Sequence, residues 1–120
     1  MGYESRIYII EKSNVINEDG RWGQTLACFD LGKVYALSDI LRDKPATDCY
    51  VYADDGDTRI KEDRYGKPLT EVSIPEAIDA LKTAMEHEEC RGIPPLIAAL
   101  KSFHFNRRRY KELAVLHYGY

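Results

Sequence analysis

The chain has 120 residues, of which 44% are hydrophobic and 31% charged, and its formal net charge at pH 7 is −3. These values are typical of one globular domain spanning residues 1–120 and exclude a disordered or fibrous chain. The acidic balance argues against a protein that coats duplex nucleic acid, because such proteins are usually basic overall.

No apolar run approaches the roughly 20 residues that a membrane-spanning helix needs. The first residues are charged and lack the apolar core of a signal peptide, so we expect a soluble, cytoplasmic protein with no membrane partner. Three cysteines are too few for a disulfide framework, which agrees with a reducing compartment.

The first third of the chain predicts two strands and a short helix. Residues 3–11 alternate with apolar groups on both faces, which predicts a central strand. Residues 12–24 are polar and rich in turn formers and predict a long loop, and residues 25–31 predict a second strand. Apolar residues at helical spacing predict a short helix over residues 34–41, which ends before Pro45 because the residue before proline avoids helical backbone.

The middle of the chain predicts a hairpin. Residues 48–54 form the third strand, and Asp55 and Gly56 form a tight turn, since glycine accepts positive φ without steric cost. Residues 57–62 form a fourth strand, whose charge is typical of a sheet edge. Residues 63–68 predict a second turn.

The last part of the chain predicts two helices and a strand. Ser73 and Glu76 have the spacing of a capping box, followed by an amphipathic helix that reaches Met85. Residues 96–103 predict a buried helix, residues 106–111 a basic loop or turn, and residues 113–118 a closing strand. The predicted fold is α+β: an antiparallel sheet of about five strands, in the order ββ–short helix–ββ–α–α–β, with helices packed on one face.

No enzyme signature is present. The chain lacks a glycine-rich phosphate loop and a nucleophile elbow. His87 and Cys90 are close in sequence, but a zinc site takes three or four ligands. We therefore predict no catalytic residue, no metal and no cofactor.

Two charged segments are candidates for binding. The first segment is acidic and lies in the predicted hairpin and the turn after it: Asp54, Asp55, Asp57, Glu62 and Asp63. These carboxylates either stabilise the turns by hydrogen bonds or bind a partner. The second segment is basic and ends in an aromatic residue: Arg107, Arg108, Arg109 and Tyr110. Such side chains can bind a phosphate, a nucleic-acid base or an acidic protein surface. The alternative is that the segment is only a solvated connection between two elements. The nine tyrosines suit either a small core or an interface.

Three segments carry a resemblance to known proteins: residues 1–12 (MGYESRIYIIEK), 50–71 (YVYADDGDTRIKEDRYGKPLTE) and 115–120 (VLHYGY). In these segments the chain resembles a group of small, mostly uncharacterised accessory proteins encoded by phages and prophages of Gram-positive bacteria. The resemblance implies a phage setting, in the cytoplasm of the host cell, where small acidic domains commonly act by binding. It supplies no site residues.

The expected function is that of a non-enzymatic phage protein that inhibits a bacterial defence protein by direct contact, for example an anti-CRISPR protein. An acidic surface can imitate nucleic acid and occupy a basic groove. The alternatives are a protein that sequesters a nucleotide, with homo-oligomerisation as a further possibility, and a nucleic-acid-binding phage regulator.

Overall fold

The computed structural model describes residues 5–18 and 20–119, so the predictions for Tyr3 and Asp19 lie outside the described residues. The described part contains six strands, three α-helices and one 3-10 turn, which confirms the α+β class. In chain order they are β1 (Ser5–Asn17), β2 (Gly20–Gly32), α1 (Tyr35–Leu41), β3 (Cys49–Tyr52), β4 (Arg59–Ile60), β5 (Thr70–Val72), α2 (Ile74–His87), α3 (Ile93–Phe105), the 3-10 turn (Arg107–Arg109) and β6 (Leu113–Gly119).

The strands form one sheet in the order β4-β3-β2-β1-β6-β5. Neighbouring strands are antiparallel except β2 and β3, which are parallel. The prediction of about five antiparallel strands is therefore wrong in two details. The chain passes through α1 between β2 and β3, and such a helical crossover allows two strands to run in the same direction. The additional strand is β5, which has only three residues, too few for an alternating pattern to be recognised in the sequence.

The predicted loop over residues 12–24 is wrong, because β1 and β2 continue through it as a long hairpin. Asn17 pairs with Gly20, although the register shifts between Lys12 and Ile16. A Cβ at Gly20, whose φ is 117°, would lie 2.5 Å from the carbonyl oxygen of Asp48. Glycine is thus required at the start of β2 both by its positive φ and by the close approach of Asp48.

The sheet curls, so its two faces differ. Two isolated bridges bring its opposite edges together. Ala46, before β3, pairs with Thr70 of β5, and Glu62, after β4, pairs with Pro68, before β5. We call the side covered by α1, α2 and α3 the helix face and the enclosed opposite side the inner face. As predicted, the helices pack on one face and β1, paired on both sides, is central.

The alternation along β1 divides the core between the two faces. Ile7 and Ile9 join the helix-face cluster with buried residues of all three helices. Tyr8 and Ile10 join a smaller inner-face cluster, completed by Cys49, Val51, Leu69, Ala114 and Leu116.

Local signals explain how the helices begin. The capping box of α2 is present, with the Ser73 hydroxyl accepting from the Glu76 amide and the Glu76 carboxylate accepting from the Ser73 amide. Helix α3 begins at Ile93, three residues before the prediction, because prolines are tolerated in a first helical turn. Helix α1 has no cap of its own; Glu88, just after α2, accepts hydrogen bonds from the amides of Tyr35 and Ala36.

Candidate functional site

The predicted hairpin is present, but its strands are shorter than predicted and six residues, 53–58, join them instead of a tight turn at Asp55 and Gly56. Asp55 holds this connection together. One carboxylate oxygen of Asp55 accepts from the amides of Asp57, at 2.9 Å, and Thr58, at 2.8 Å. The other accepts from the Thr58 hydroxyl at 2.6 Å. The hydrogen bonds from Thr58 and Asp57 lower the pKa of Asp55, so it stays ionised at neutral pH.

The remaining acidic candidates divide into different environments. Asp63 closes the second turn, since its carboxylate accepts from the amides of Tyr65 and Lys67. Glu62 lines a separate depression beside Tyr118, and Asp57 is exposed. Asp54 is exposed, and no other described residue forms a hydrogen bond or ion pair with it. The five acids therefore do not form one site.

Asp54 and Asp55 line a groove of about 470 Å³ between the β3–β4 hairpin and strand β2. We call it the acidic groove and define it by the residues that line it on the hairpin side and on the strand side. Those on the hairpin side are Tyr52, Ala53, Asp54, Asp55 and Ile60, and those on strands β1 and β2 are Arg6, Tyr8, Thr25, Cys28 and Asp30.

The charges of the acidic groove do not balance. Three carboxylates face one guanidinium, that of Arg6, which lies 3.9 Å from Asp30 and 5.3 Å from the centre of the Tyr118 ring. Burial raises the pKa of Tyr8 and of Cys28, so both are neutral at neutral pH. The groove therefore presents a net negative charge with neutral hydrogen-bonding groups in its wall.

The groove exists because β3 separates from β2 soon after the two strands meet. They pair only at Arg21 with Cys49 and Trp22 with Tyr50. Beyond this point β3 turns into its hairpin with β4, where Tyr50 packs edge-on against Tyr52 at 5.7 Å. Strand β2 continues to Gly32 with β1 on one side and, over residues 24–30, no described strand on the other.

The basic candidates do not converge. Arg107, Arg108 and Arg109 form a 3-10 turn, in which successive residues point roughly 120° apart. Only Arg107 lines a cavity among the described ones, a depression of about 320 Å³ shared with His104 and Lys111. Tyr110 packs against Phe103, with 5.8 Å between ring centres, so its ring is engaged within the fold.

One group of possible metal ligands occurs among the described residues. Ligand atoms of Asp48, Cys49 and Glu71 all lie within 4.8 Å of one another. The ammonium of Lys12 lies 2.5 Å from Glu71 and already supplies a positive charge there. Burial raises the pKa of Cys49 to about 11, so the thiol is protonated at neutral pH, whereas a metal binds the thiolate. The donor set does not favour a metal.

His87 and Cys90 both line a cavity of about 540 Å³, but they do not share a helical turn. Helix α2 ends at His87, so Cys90 lies outside it, and the Cys90 thiol points to the carbonyl oxygen of Leu31 at 3.7 Å. All three cysteines are free.

Sequence reasoning named Asp54 and Asp55 but missed the other walls of the acidic groove. Arg6 and Tyr8 share a face by strand alternation, which is visible in the sequence. Their pairing with Asp30 and Cys28 depends on the β1–β2 register, which the sequence does not display.

No family model, curated protein or solved structure matches this chain. Within the described residues, no helix has the length and apolar character needed to cross a membrane.

Proposed function

We propose that this protein is a non-enzymatic, phage-encoded binding protein that inhibits a bacterial defence protein, such as a CRISPR effector, by direct contact. The observation that supports the proposal is the acidic groove beside an uncovered length of β2. Nucleases and effectors that hold nucleic acid do so with basic surfaces, and a negatively charged groove is complementary to them.

The tyrosines of the groove add to this support. Tyr52 is 36% exposed at the groove, and Tyr8 lies in its wall. Aromatic rings at an interface contribute large contact areas and attract cationic side chains. A basic partner would therefore meet both carboxylates and aromatic rings.

The test is infection of a Gram-positive host that carries an active CRISPR system. Expression of the chain is expected to raise the plaque count of a targeted phage by at least a hundredfold. D54K should lose most of this effect because it reverses an exposed charge in the groove. D79K is the matched control, since Asp79 is an exposed aspartate on α2. Equal plaque counts with and without the protein would contradict the proposal.

A second candidate function rests on the depression lined by His104, Arg107 and Lys111. These side chains suit a phosphate-bearing ligand such as a nucleotide. The test is thermal stabilisation by a panel of cyclic and linear nucleotides. R107Q should weaken the stabilisation at least tenfold in nucleotide concentration, whereas R108Q should leave it unchanged. Equal behaviour of the two variants would contradict this site.

A further inference from the structure

The uncovered edge of β2 carries few of the features that protect sheet edges. A register shift opposite Ile9 and Ile10 leaves Leu26 as a bulge, and the edge is regular from Ala27 to Asp30. Its seven residues, from Gln24 to Asp30, include one charged side chain, Asp30, and no lysine or proline. In an antiparallel pair, about every second residue directs its amide and carbonyl away from the neighbouring strand. A long, nearly uncharged edge of this kind is a template for another strand.

The two sides of this edge differ in chemistry. Thr25, Cys28 and Asp30 line the acidic groove on the inner face. Ala27 and Phe29 pack against the helix-face core and remain partly exposed. Beyond the bulge, a strand laid beside residues 27–30 would direct alternate side chains to these two sides, because successive side chains point to opposite faces of a sheet.

We propose that β2 takes an extended segment of a partner protein as an additional strand, in which basic residues alternate with apolar ones. The basic side chains enter the acidic groove towards Asp54 and Asp55, and the apolar ones lie beside Ala27 and Phe29. Main-chain hydrogen bonds supply affinity and the alternating side chains supply specificity. This inference rests on the proposed function, since it specifies how the same groove holds its partner.

Charge argues against a second copy of this chain as the occupant. Pairing of two β2 edges would bring the Asp30, Asp54 and Asp55 of both copies towards one another. Like charges held close together oppose association. A basic segment meets the same carboxylates with attraction.

The test is selection of ten-residue peptides from a randomised display library on the intact protein. The expected peptides carry lysine or arginine at alternate positions with apolar residues between them. Their binding should protect the amides of residues 24–30 from hydrogen exchange. D54K should weaken binding at least tenfold, whereas D79K should not change it.

Backbone methylation of a selected peptide tests strand addition directly. Only one edge of an added strand faces β2, so N-methyl groups at one set of alternate positions should abolish binding. The same groups at the other set should leave binding within about threefold. Equal loss from both sets, enriched peptides without alternation, or failure to enrich any peptide would overturn the proposal. Concentration-dependent dimerisation that protects residues 24–30 would also overturn it.

The two proposals fail separately. Peptides that bind as expected, with no effect of the protein on plaque counts, would leave strand addition intact and contradict the inhibitory function. A raised plaque count that D54K does not alter, together with peptides that do not protect β2, would leave the inhibitory function intact and contradict strand addition.

Discussion

The two faces of the sheet are built on different principles. The helix face is covered by three helices, and its core is formed almost entirely by aliphatic side chains. The inner face has a smaller apolar cluster and mixes it with tyrosines, thiols and an ion pair between the buried Lys12 and the half-buried Glu71. The comparison teaches that most of the stability comes from the helix face, so the inner face can retain a charged and partly open surface that is available to a partner.

The edge of the helix face is an exception to this division. His117 is buried there, 3.3 Å from the Ser5 hydroxyl, beside a cavity of about 20 Å³ that also touches Ser38 and Thr70. The Thr70 hydroxyl is buried and has no hydrogen-bond partner. Among the described residues, the buried polar side chains of this face, Ser5, Thr70 and His117, therefore lie together at one rim.

The largest effect that would sharpen the comparison is truncation on the helix face. Leu100 on α3 is fully buried, so L100A should lower the free energy of unfolding by about 2–5 kcal/mol through lost contacts and an unfilled cavity. Urea denaturation measures the change. F105A, on the same helix at an 84% exposed residue, should change it by only about 0.5 kcal/mol. A loss below about 1 kcal/mol for L100A would show that α3 is not packed as described.

The pH dependence of stability tests the polar rim. Burial, with a smaller contribution from Lys67, lowers the pKa of His117 from 6.5 to about 4. Between these values the unfolded chain binds a proton that the folded chain does not. Stability from this residue is therefore complete above pH 6.5 and is lost as the pH falls to 4, by about 3 kcal/mol in total.

H117Q isolates this contribution. Its free energy of unfolding should fall less steeply than that of the unaltered protein between pH 6.5 and 4, as measured by urea denaturation at several pH values. H87Q, at an exposed histidine, is the control and should keep the original slope. Identical slopes for H117Q and the unaltered protein would contradict burial of a neutral imidazole.

The ion pair of the inner face should have a smaller effect. Burial alone would lower the pKa of Lys12, but the hydrogen bond and charge of Glu71 offset this and raise it. E71L leaves the ammonium without its partner, so we expect a loss of about 2 kcal/mol in the free energy of unfolding.

A double variant shows whether this loss comes from the pair. K12M combined with E71L replaces both charges with apolar groups and should recover at least half of the stability lost in E71L. Urea denaturation of the three variants gives the coupling. Additive losses would indicate that the two side chains act independently and that the inner face does not hold a coupled ion pair.

The smallest effect concerns the start of α2. S73A removes the hydroxyl that caps the helix and should lower the free energy of unfolding by about 1 kcal/mol. T83A removes an exposed hydroxyl inside the same helix and should be neutral or slightly stabilising, because alanine favours helix. Thermal unfolding by circular dichroism measures both, and a larger loss from T83A would contradict the capping role.

The features that the sequence predicts well are local ones. The alternation of Ile7, Tyr8 and Ile9 indicates a central strand, and the Ser73–Glu76 spacing indicates the start of α2, because each depends on neighbours within a few residues. The parallel pairing of β2 with β3 depends on how α1 packs, which no local pattern encodes. The strand through residues 12–17 was missed because pairing with β2 outweighs the turn preference of its polar residues.

The candidate site shows the same limit. Asp54 and Asp55 stand out as acids next to a turn. These two acids lie across the groove from Cys28 and Asp30 because β3 separates from β2 after Tyr50. Tertiary packing sets the place where the two strands separate. The divergence of the three arginines follows from a 3-10 turn rather than a loop, which a run of identical residues does not indicate.

The carboxylate of Glu88 has a consequence for how the chain matures. It binds the first amides of α1 across 52 residues of sequence, and a seven-residue helix without such help is marginal in water. During synthesis on the ribosome, residues 35–41 emerge long before Glu88 does. We therefore expect this helix to be acquired late, after α2 has formed, so that the nascent chain exposes Leu37 and Leu41 until the segment following α2 arrives.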